Sequence, residues 1–147
     1  MIVRIIVIFS FLCFLSGCLP ALAAECGKLC SNAWWKNATT EELKVELKLL
    51  ENINDTNSWG WTPLHYAAKE GNSKHISLIL DANAKINAQC KNGNTPLHIA
   101  ASNAKELNII TLIDAGSNIK IKNTDGNTPI MMAKEKNKLK DLKIFEK

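Results

Sequence analysis

Apolar residues in the middle of the chain recur with the spacing of an amphipathic helix. Ile76, Ile79 and Leu80 occupy positions i, i+3 and i+4, which places all three on one helical face. The same spacing returns 33 residues later in Ile109, Leu112 and Ile113. Each stretch therefore predicts a helix that buries one face against a neighbouring element.

A second recurring string precedes each of these helices. It is GWTPLHYAA from Gly60, GNTPLHIAA from Gly93 and GNTPIMMAK from Gly126, again with a spacing of 33 residues. Glycine suits a turn with positive φ, threonine caps a helix, and proline fits the first helical position. Each string predicts a turn and then the start of a helix, and the alanine pairs at 67–68 and 100–101 keep the first two of these helices slim. A single helix pair cannot bury its apolar face alone, so the period predicts a stack of helical hairpins.

The string G-x-T-P-L-H-x-A-A with its 33-residue period resembles the ankyrin repeat family. The resemblance implies an all-α solenoid of stacked helix–turn–helix units, with short β-hairpin turns along one edge. It divides the chain into an N-terminal cap at 26–56, full repeats at 57–89 and 90–122, and a C-terminal cap at 123–147.

The resemblance also implies a structural role for two of the histidines. His65 and His98 would hydrogen-bond the turn backbone and hold adjacent repeats in register. No carboxylate, cysteine or third ligand accompanies them at a workable spacing, so neither a catalytic site nor a metal site is predicted. His75, on the second helix, is expected to face solvent. Ala104 replaces the glycine seen at Gly71, which puts the turn between the helices of that unit in doubt.

Both ends depart from the repeat pattern, as capping units do. Trp34 and Trp35 stand where the repeats have paired alanines, and we expect them to cover the open end of the core. Thr39 and Glu42 have the spacing of a capping box. Residues 134–147 predict a lysine-rich helix, either a solvated outer face or a surface for acidic partners or a membrane.

The start of the chain has the layout of a secretory signal peptide. Arg4 precedes an apolar run at 5–15 that is too short to span a bilayer comfortably. A small-x-small string ends at Ala23, which predicts cleavage after Ala23 or Ala24. We therefore interpret 1–24 as a leader and expect a periplasmic or secreted bacterial protein.

An alternative processing site lies within the same leader. The string LSGC, ending at Cys18, resembles a bacterial lipobox. Lipidation of Cys18 would make the chain a membrane-anchored lipoprotein with a structural or scaffolding role. The apolar residues that follow Cys18 favour the soluble product, because lipoproteins usually continue with a polar tether.

The cysteines left after cleavage are Cys26, Cys30 and Cys90. In an oxidising compartment Cys26 and Cys30 could form a short-loop disulfide. Their CxxxC spacing is not that of a redox-active pair, and further metal ligands are lacking. Cys90 would be a free thiol or would pair with another chain, so we expect a monomer unless such a bond forms.

Charge and motifs narrow the function classes. The net charge of +4 is mild, and the lysines have no aromatic platform among them, which argues against nucleic-acid binding. The sequence contains no nucleophile–base pairing, no paired carboxylates in a plausible cleft and no phosphate loop. We therefore predict that the chain is not an enzyme and needs no cofactor.

The family resemblance implies recognition of another protein through turn tips and exposed positions of the first helix. Trp59 and Trp61 flank Gly60, and large aromatic residues dominate interface energetics. Trp61 could instead lie against the neighbouring turn, so Trp59 is the stronger candidate. The predicted surface comprises Ser58, Trp59, Trp61, Lys69, Glu70, Lys91, Asn92, Asn94, Ser102, Asn103, Thr124, Asp125 and Asn127.

Overall fold

The computed structural model describes residues 27–135 and 142–145. The predicted leader, Cys18 and Cys26 lie outside these residues. The described part of the chain contains seven α-helices, two 3₁₀ turns and no β-strand. The helices are α1 (Asn32–Trp35), α2 (Thr40–Leu49), α3 (Pro63–Glu70), α4 (Ser73–Asp81), α5 (Pro96–Ser102), α6 (Glu106–Asp114) and α7 (Pro129–Glu135); the 3₁₀ turns are Gly27–Cys30 and Leu142–Phe145.

The helices stack in two rows. In the inner row α3 packs between α1 and α5, and α5 packs in turn against α7. In the outer row α4 packs between α2 and α6. Each inner helix also contacts the outer helix that follows it, α3 with α4 and α5 with α6. This arrangement confirms the predicted all-α solenoid of helical hairpins.

The core lies between the two rows and follows the predicted periodicity. Ile76, Ile79, Ile109 and Leu112 are fully buried, and the third member of each set, Leu80 or Ile113, packs at its edge. The paired alanines of α3 and α5 are also fully buried. Small side chains at these positions let neighbouring inner helices approach closely, as the sequence predicts.

The turns before the inner helices follow the predicted backbone. Gly60, Gly93 and Gly126 have φ values of 75°, 71° and 79°, a conformation that L side chains rarely adopt. The turns are closed by their own hydrogen bonds, but no strand flanks them in the part of the chain that the structure describes. Neighbouring turns are joined by single backbone bonds, such as the one from Lys91 N to Trp59 O at 3.1 Å.

The two TPLH histidines connect adjacent repeats, as the family resemblance implies. His65 Nδ1 accepts from Thr62 N at 3.1 Å, and His65 Nε2 lies 3.0 Å from the carbonyl oxygen of Asn94 in the next turn. His98 makes the equivalent bonds to its own threonine and to Asn127 O, the latter at 3.0 Å. This pattern requires the neutral imidazole with its proton on Nε2. Burial lowers the pKa of His65 to about 4, which keeps the ring neutral.

The third copy of this motif lacks its histidine. Met131 stands in the histidine position and is 49% exposed, whereas His65 and His98 are fully buried. The hydroxyl of Thr128 is buried and has no hydrogen-bond partner among the described residues. The unit therefore has the helix of a repeat without the histidine that links one repeat to the next in the first two copies.

The prediction that His75 faces solvent is wrong. His75 is only 3% exposed, and its ring centroid lies 5.6 Å from that of Trp35. His75 lies in the first turn of α4, against Trp35 at the end of α1, so this position is covered. Burial lowers the pKa of His75.

The N-terminal cap has the predicted structure. Trp35 is buried and donates from Nε1 to Leu29 O at 2.7 Å, while Trp34 contacts it edge to face. Thr39 and Glu42 form the capping box, with Thr39 N donating to Glu42 Oε2 at 2.8 Å. The two indoles thus close the end of the core.

The C-terminal cap differs from the prediction. α7 is described as far as Glu135, and residues 142–145 form a 3₁₀ turn and not part of one continuous α-helix. Phe145 is buried in the core cluster, and this turn contacts both α6 and α7. Most of the predicted lysine-rich stretch lies outside the described residues.

Candidate interaction surface

A cleft of about 320 Å³ lies where the first two inner helices meet two successive turns. Its lining residues come from the N-terminal cap, from the first repeat and from the turn that opens the second repeat. They are Asn32, Asn57, Trp59, Trp61, Tyr66, Lys69, Cys90 and Asn92. The cleft therefore exists only because three units are stacked.

Trp59 stands at the cleft on a turn whose backbone is held rigidly. Asn57 Oδ1 accepts hydrogen bonds from Trp59 N at 2.9 Å and from Trp61 N at 3.0 Å. The Trp59 side chain is nonetheless 70% exposed. A fixed backbone that carries an exposed indole loses little conformational freedom when a partner binds.

Trp61 packs against the helix of its own repeat. It is half-buried and packs against the ring of Tyr66, with centroids 5.1 Å apart, and against His65 at 5.8 Å. Tyr66 is buried, and its hydroxyl accepts from Asn57 Nδ2 at 2.8 Å. The two rings form an aromatic wall of the cleft and also stabilise the turn.

Lys69 supplies the charge in the cleft. Its Nζ donates to Asn32 Oδ1 at 3.1 Å, lies 3.4 Å from Glu70 Oε1 and stands 6.0 Å from the Trp61 ring centroid. The side chain is 29% exposed. The ammonium is thus held in place at the cleft while remaining accessible.

The other predicted surface residues divide by exposure. Ser58, Lys91, Asn92, Asn103, Thr124 and Asp125 are exposed, whereas Glu70, Asn94 and Asn127 are half-buried. The prediction that Ser102 occupies an exposed position is wrong. It is only 9% exposed, because α5 is packed against α3, α6 and α7. Its hydroxyl donates back to Ile99 O within α5 at 3.1 Å.

Comparison with known proteins agrees with this geometry. A family model of ankyrin repeats, in three copies, matches residues 36–123, which is more than half of the chain. The chain belongs to the ankyrin repeat family. Ankyrin repeats generally mediate binding to other proteins. The comparison with curated proteins gives no match.

The ankyrin cleft includes four residues that sequence reasoning missed. Asn57 had a detectable pattern, because Asn123 recurs at its position and likewise accepts from two backbone N–H groups of its own turn. Tyr66 is the variable residue of the TPLH string. Cys90 occupies the same repeat position as Asn57 and Asn123, where the second repeat has a cysteine in place of asparagine. Asn32 carries no such pattern and reaches the cleft only through contacts between units.

The cysteines of the ankyrin domain differ in state. Cys30 is disulfide-bonded. Its predicted partner Cys26 lies outside the described residues, so that pairing stays a prediction. The thiol of Cys90 is free and buried, a position that does not favour a bond to a second chain.

The described residues include neither a cluster of metal ligands nor a helix suited to crossing a membrane. Within residues 27–135 and 142–145, no three His, Cys, Asp or Glu side chains lie close enough together to hold a metal ion. None of the helices that the structure describes has the length and apolar character needed to cross a membrane.

Proposed function

We propose that this chain is an exported, non-catalytic ankyrin-repeat module that binds another protein through its turn tips and inner helices. The main support for this proposal is the exposure of Trp59, whose indole is 70% exposed on a hydrogen-bonded turn at the aromatic cleft. An indole so exposed contributes little to the folded core. Aromatic residues of this kind become energetic centres when they enter a partner's pocket.

Export is supported by the leader and by the chemistry of one cysteine. The apolar run at 5–15 is followed by small residues that suit cleavage after Ala23 or Ala24. The disulfide at Cys30 fits an oxidising compartment, since cytosolic thiols are kept reduced.

A non-catalytic role is supported by the state of the histidines. Both nitrogens of His65 and His98 are engaged with turn backbone and threonine groups, so neither ring is available as a general base. Turnover by the pure protein in a broad screen of hydrolase and redox substrates would contradict this part of the proposal.

A membrane-tethered lipoprotein is the second candidate, favoured by the LSGC string that ends at Cys18. Mass spectrometry of the mature N-terminus separates the two. An acylated Cys18 would establish the tether, whereas a free N-terminus at Ala24 or Glu25 would exclude it.

The binding surface is tested by capture from the exporting compartment with wild type, Trp59→Ala and Lys91→Ala. Leu107→Ala is a matched control, because Leu107 is also 70% exposed but lies on α6 in the outer row. We expect Trp59→Ala to weaken capture by about 30-fold, the effect of a hot-spot residue. The control should keep wild-type capture, and thermal melts should coincide for all variants. If every captured protein survives both changes, the proposed surface is wrong.

A further inference from the structure

We propose that the cleft between Trp59 and Lys69 binds an extended peptide segment of the partner that carries an Asp or Glu side chain beside an apolar residue. This inference rests on the proposed function and specifies the chemistry of its partner. It follows from the hydrogen-bonding capacity, the charge and the aromatic lining of the cleft.

The acceptor groups of the cleft are largely engaged within the protein. Asn57 Oδ1 accepts from two backbone N–H groups, and Asn32 Oδ1 accepts from Lys69. The carbonyl oxygens of Trp59 and Asn92 accept backbone bonds from the next turn along the stack. Among these residues, only the side-chain amide oxygen of Asn92 on the second turn accepts no hydrogen bond within the described part of the protein.

Hydrogen-bond donors, in contrast, are left over. The hydroxyl of Tyr66 accepts from Asn57, so its own hydrogen can be donated to a ligand. Asn32 keeps its amide hydrogens. The Lys69 ammonium gives one of its three hydrogens to Asn32 Oδ1 and lies 3.4 Å from Glu70 Oε1, which leaves at least one hydrogen for a ligand. A ligand that complements these groups must accept hydrogen bonds, and an ionised carboxylate is a side chain that only accepts.

The charge of the cleft favours the same ligand. Lys69 is the charged residue among those that line it, and its side chain is mostly removed from water. Attraction between charges is stronger in such a partly dehydrated site than on the open surface. Glu70 does not line the cleft and holds the ammonium in position from one side.

The aromatic residues define the rest of the segment. The exposed face of Trp59 and the wall formed by Trp61 and Tyr66 can bury an apolar side chain next to the carboxylate. Because the lining comes from three successive units, a bound segment crosses the repeats and continues past the cleft. The carboxylate therefore comes from a side chain within the segment and not from a chain end.

The test uses the mature protein and short peptides that are acetylated, amidated and free of tryptophan. Each peptide has Leu or Phe on both sides of a central Asp, Asn or Lys, and binding is followed by calorimetry and by indole fluorescence. We expect the Asp peptide to bind at least about tenfold more tightly than its Asn analogue, with affinity falling as salt is raised. Lys69→Met should remove the preference for Asp, and Lys69→Arg should retain it.

Lys74→Met is the matched control, because Lys74 is an exposed lysine on α4 in the outer row. It should leave the preference unchanged. Stronger binding of the Asn or Lys peptide overturns the inference, as does a preference for Asp that survives Lys69→Met. So does binding that needs a free C-terminal carboxylate, or the absence of binding by every peptide.

The two proposals can fail separately. If Trp59→Ala abolishes capture of the natural partner while the Asp peptide shows no advantage, the interaction surface stands and its acidic ligand is wrong. If Trp59→Ala does not change capture, the binding surface given under the proposed function is wrong, regardless of the result with the peptides.

Discussion

Asn108 occupies in the second repeat the position that His75 occupies in the first. Its buried Nδ2 lies 3.2 Å from the carbonyl oxygens of Ala68 and Gly71 and 3.4 Å from that of Ala67. These carbonyls belong to the end of α3, which lacks intrahelical partners for its last carbonyls. A single side chain thus caps an inner helix of the preceding unit.

Asn108→Ala should lower the free energy of unfolding by about 2 kcal/mol, because it leaves buried carbonyl oxygens without a donor. Urea unfolding followed by circular dichroism measures the loss. The control is Asn37→Ala, since Asn37 is an exposed turn residue and its loss should cost about 0.5 kcal/mol or less. Equal losses for the two variants would contradict the capping role.

At the scale of an element, the turn between α5 and α6 forms despite the alanine that put it in doubt. Ala104 adopts a φ of 54°, and Lys105 N closes the turn by donating to Ala100 O at 3.1 Å. Gly71, at the same position of the first repeat, has a φ of −75° and needs no left-handed conformation. Its glycine is required by space, because a Cβ would lie 2.7 Å from Ala67 O. Two repeats therefore make the same turn in different ways.

Ala104→Gly should stabilise the protein by about 0.5–1 kcal/mol, because the left-handed conformation strains alanine and suits glycine. Gly71→Ala, the reverse exchange at the equivalent position, should destabilise it, since the new methyl group would meet α3 backbone. Both changes are read from denaturant midpoints. An unfolding free energy that falls in Ala104→Gly would show that strain at this turn is not the limiting factor.

At the scale of the whole molecule, the buried histidines make stability depend on pH. Burial lowers the pKa of His65 to about 4 and also lowers those of His75 and His98. The ordinary value is 6.5, so between these limits the unfolded chain binds more protons than the folded one. Stability is therefore fully present above pH 6.5 and is lost as the pH falls towards 4.

His65 alone should account for about 3 kcal/mol of this loss, from the difference between its two pKa values. Protonation of Nδ1 would also place a proton against the backbone N–H of Thr62. Equilibrium unfolding at a series of pH values measures the slope, and His65→Gln should flatten it while lowering stability at neutral pH. A free energy of unfolding that stays constant from neutral pH to about pH 4.5 would contradict this account.

Particular residues show which structural features could be predicted from the sequence and which could not. Thr39 and Glu42 could be predicted to cap a helix because both partners lie within one helical turn. Trp35 could be assigned to the end of the core because it occupies a buried position of the repeat. The burial of His75 could not be predicted, since it depends on which preceding residues cover the first turn of α4.

The amino-acid sequence by itself determined the helices of the two full repeats, the glycine turns before them and their order of stacking. Those features depend on local chemistry that returns every 33 residues, so a period in the sequence is enough to reveal them. Only the tertiary structure decided which residues line the cleft. It joins Asn32, Tyr66 and Asn92 from three units, and Lys69 reaches Asn32 across 37 positions. Such contacts follow from how side chains pack between units, and no periodic pattern in the chain specifies them.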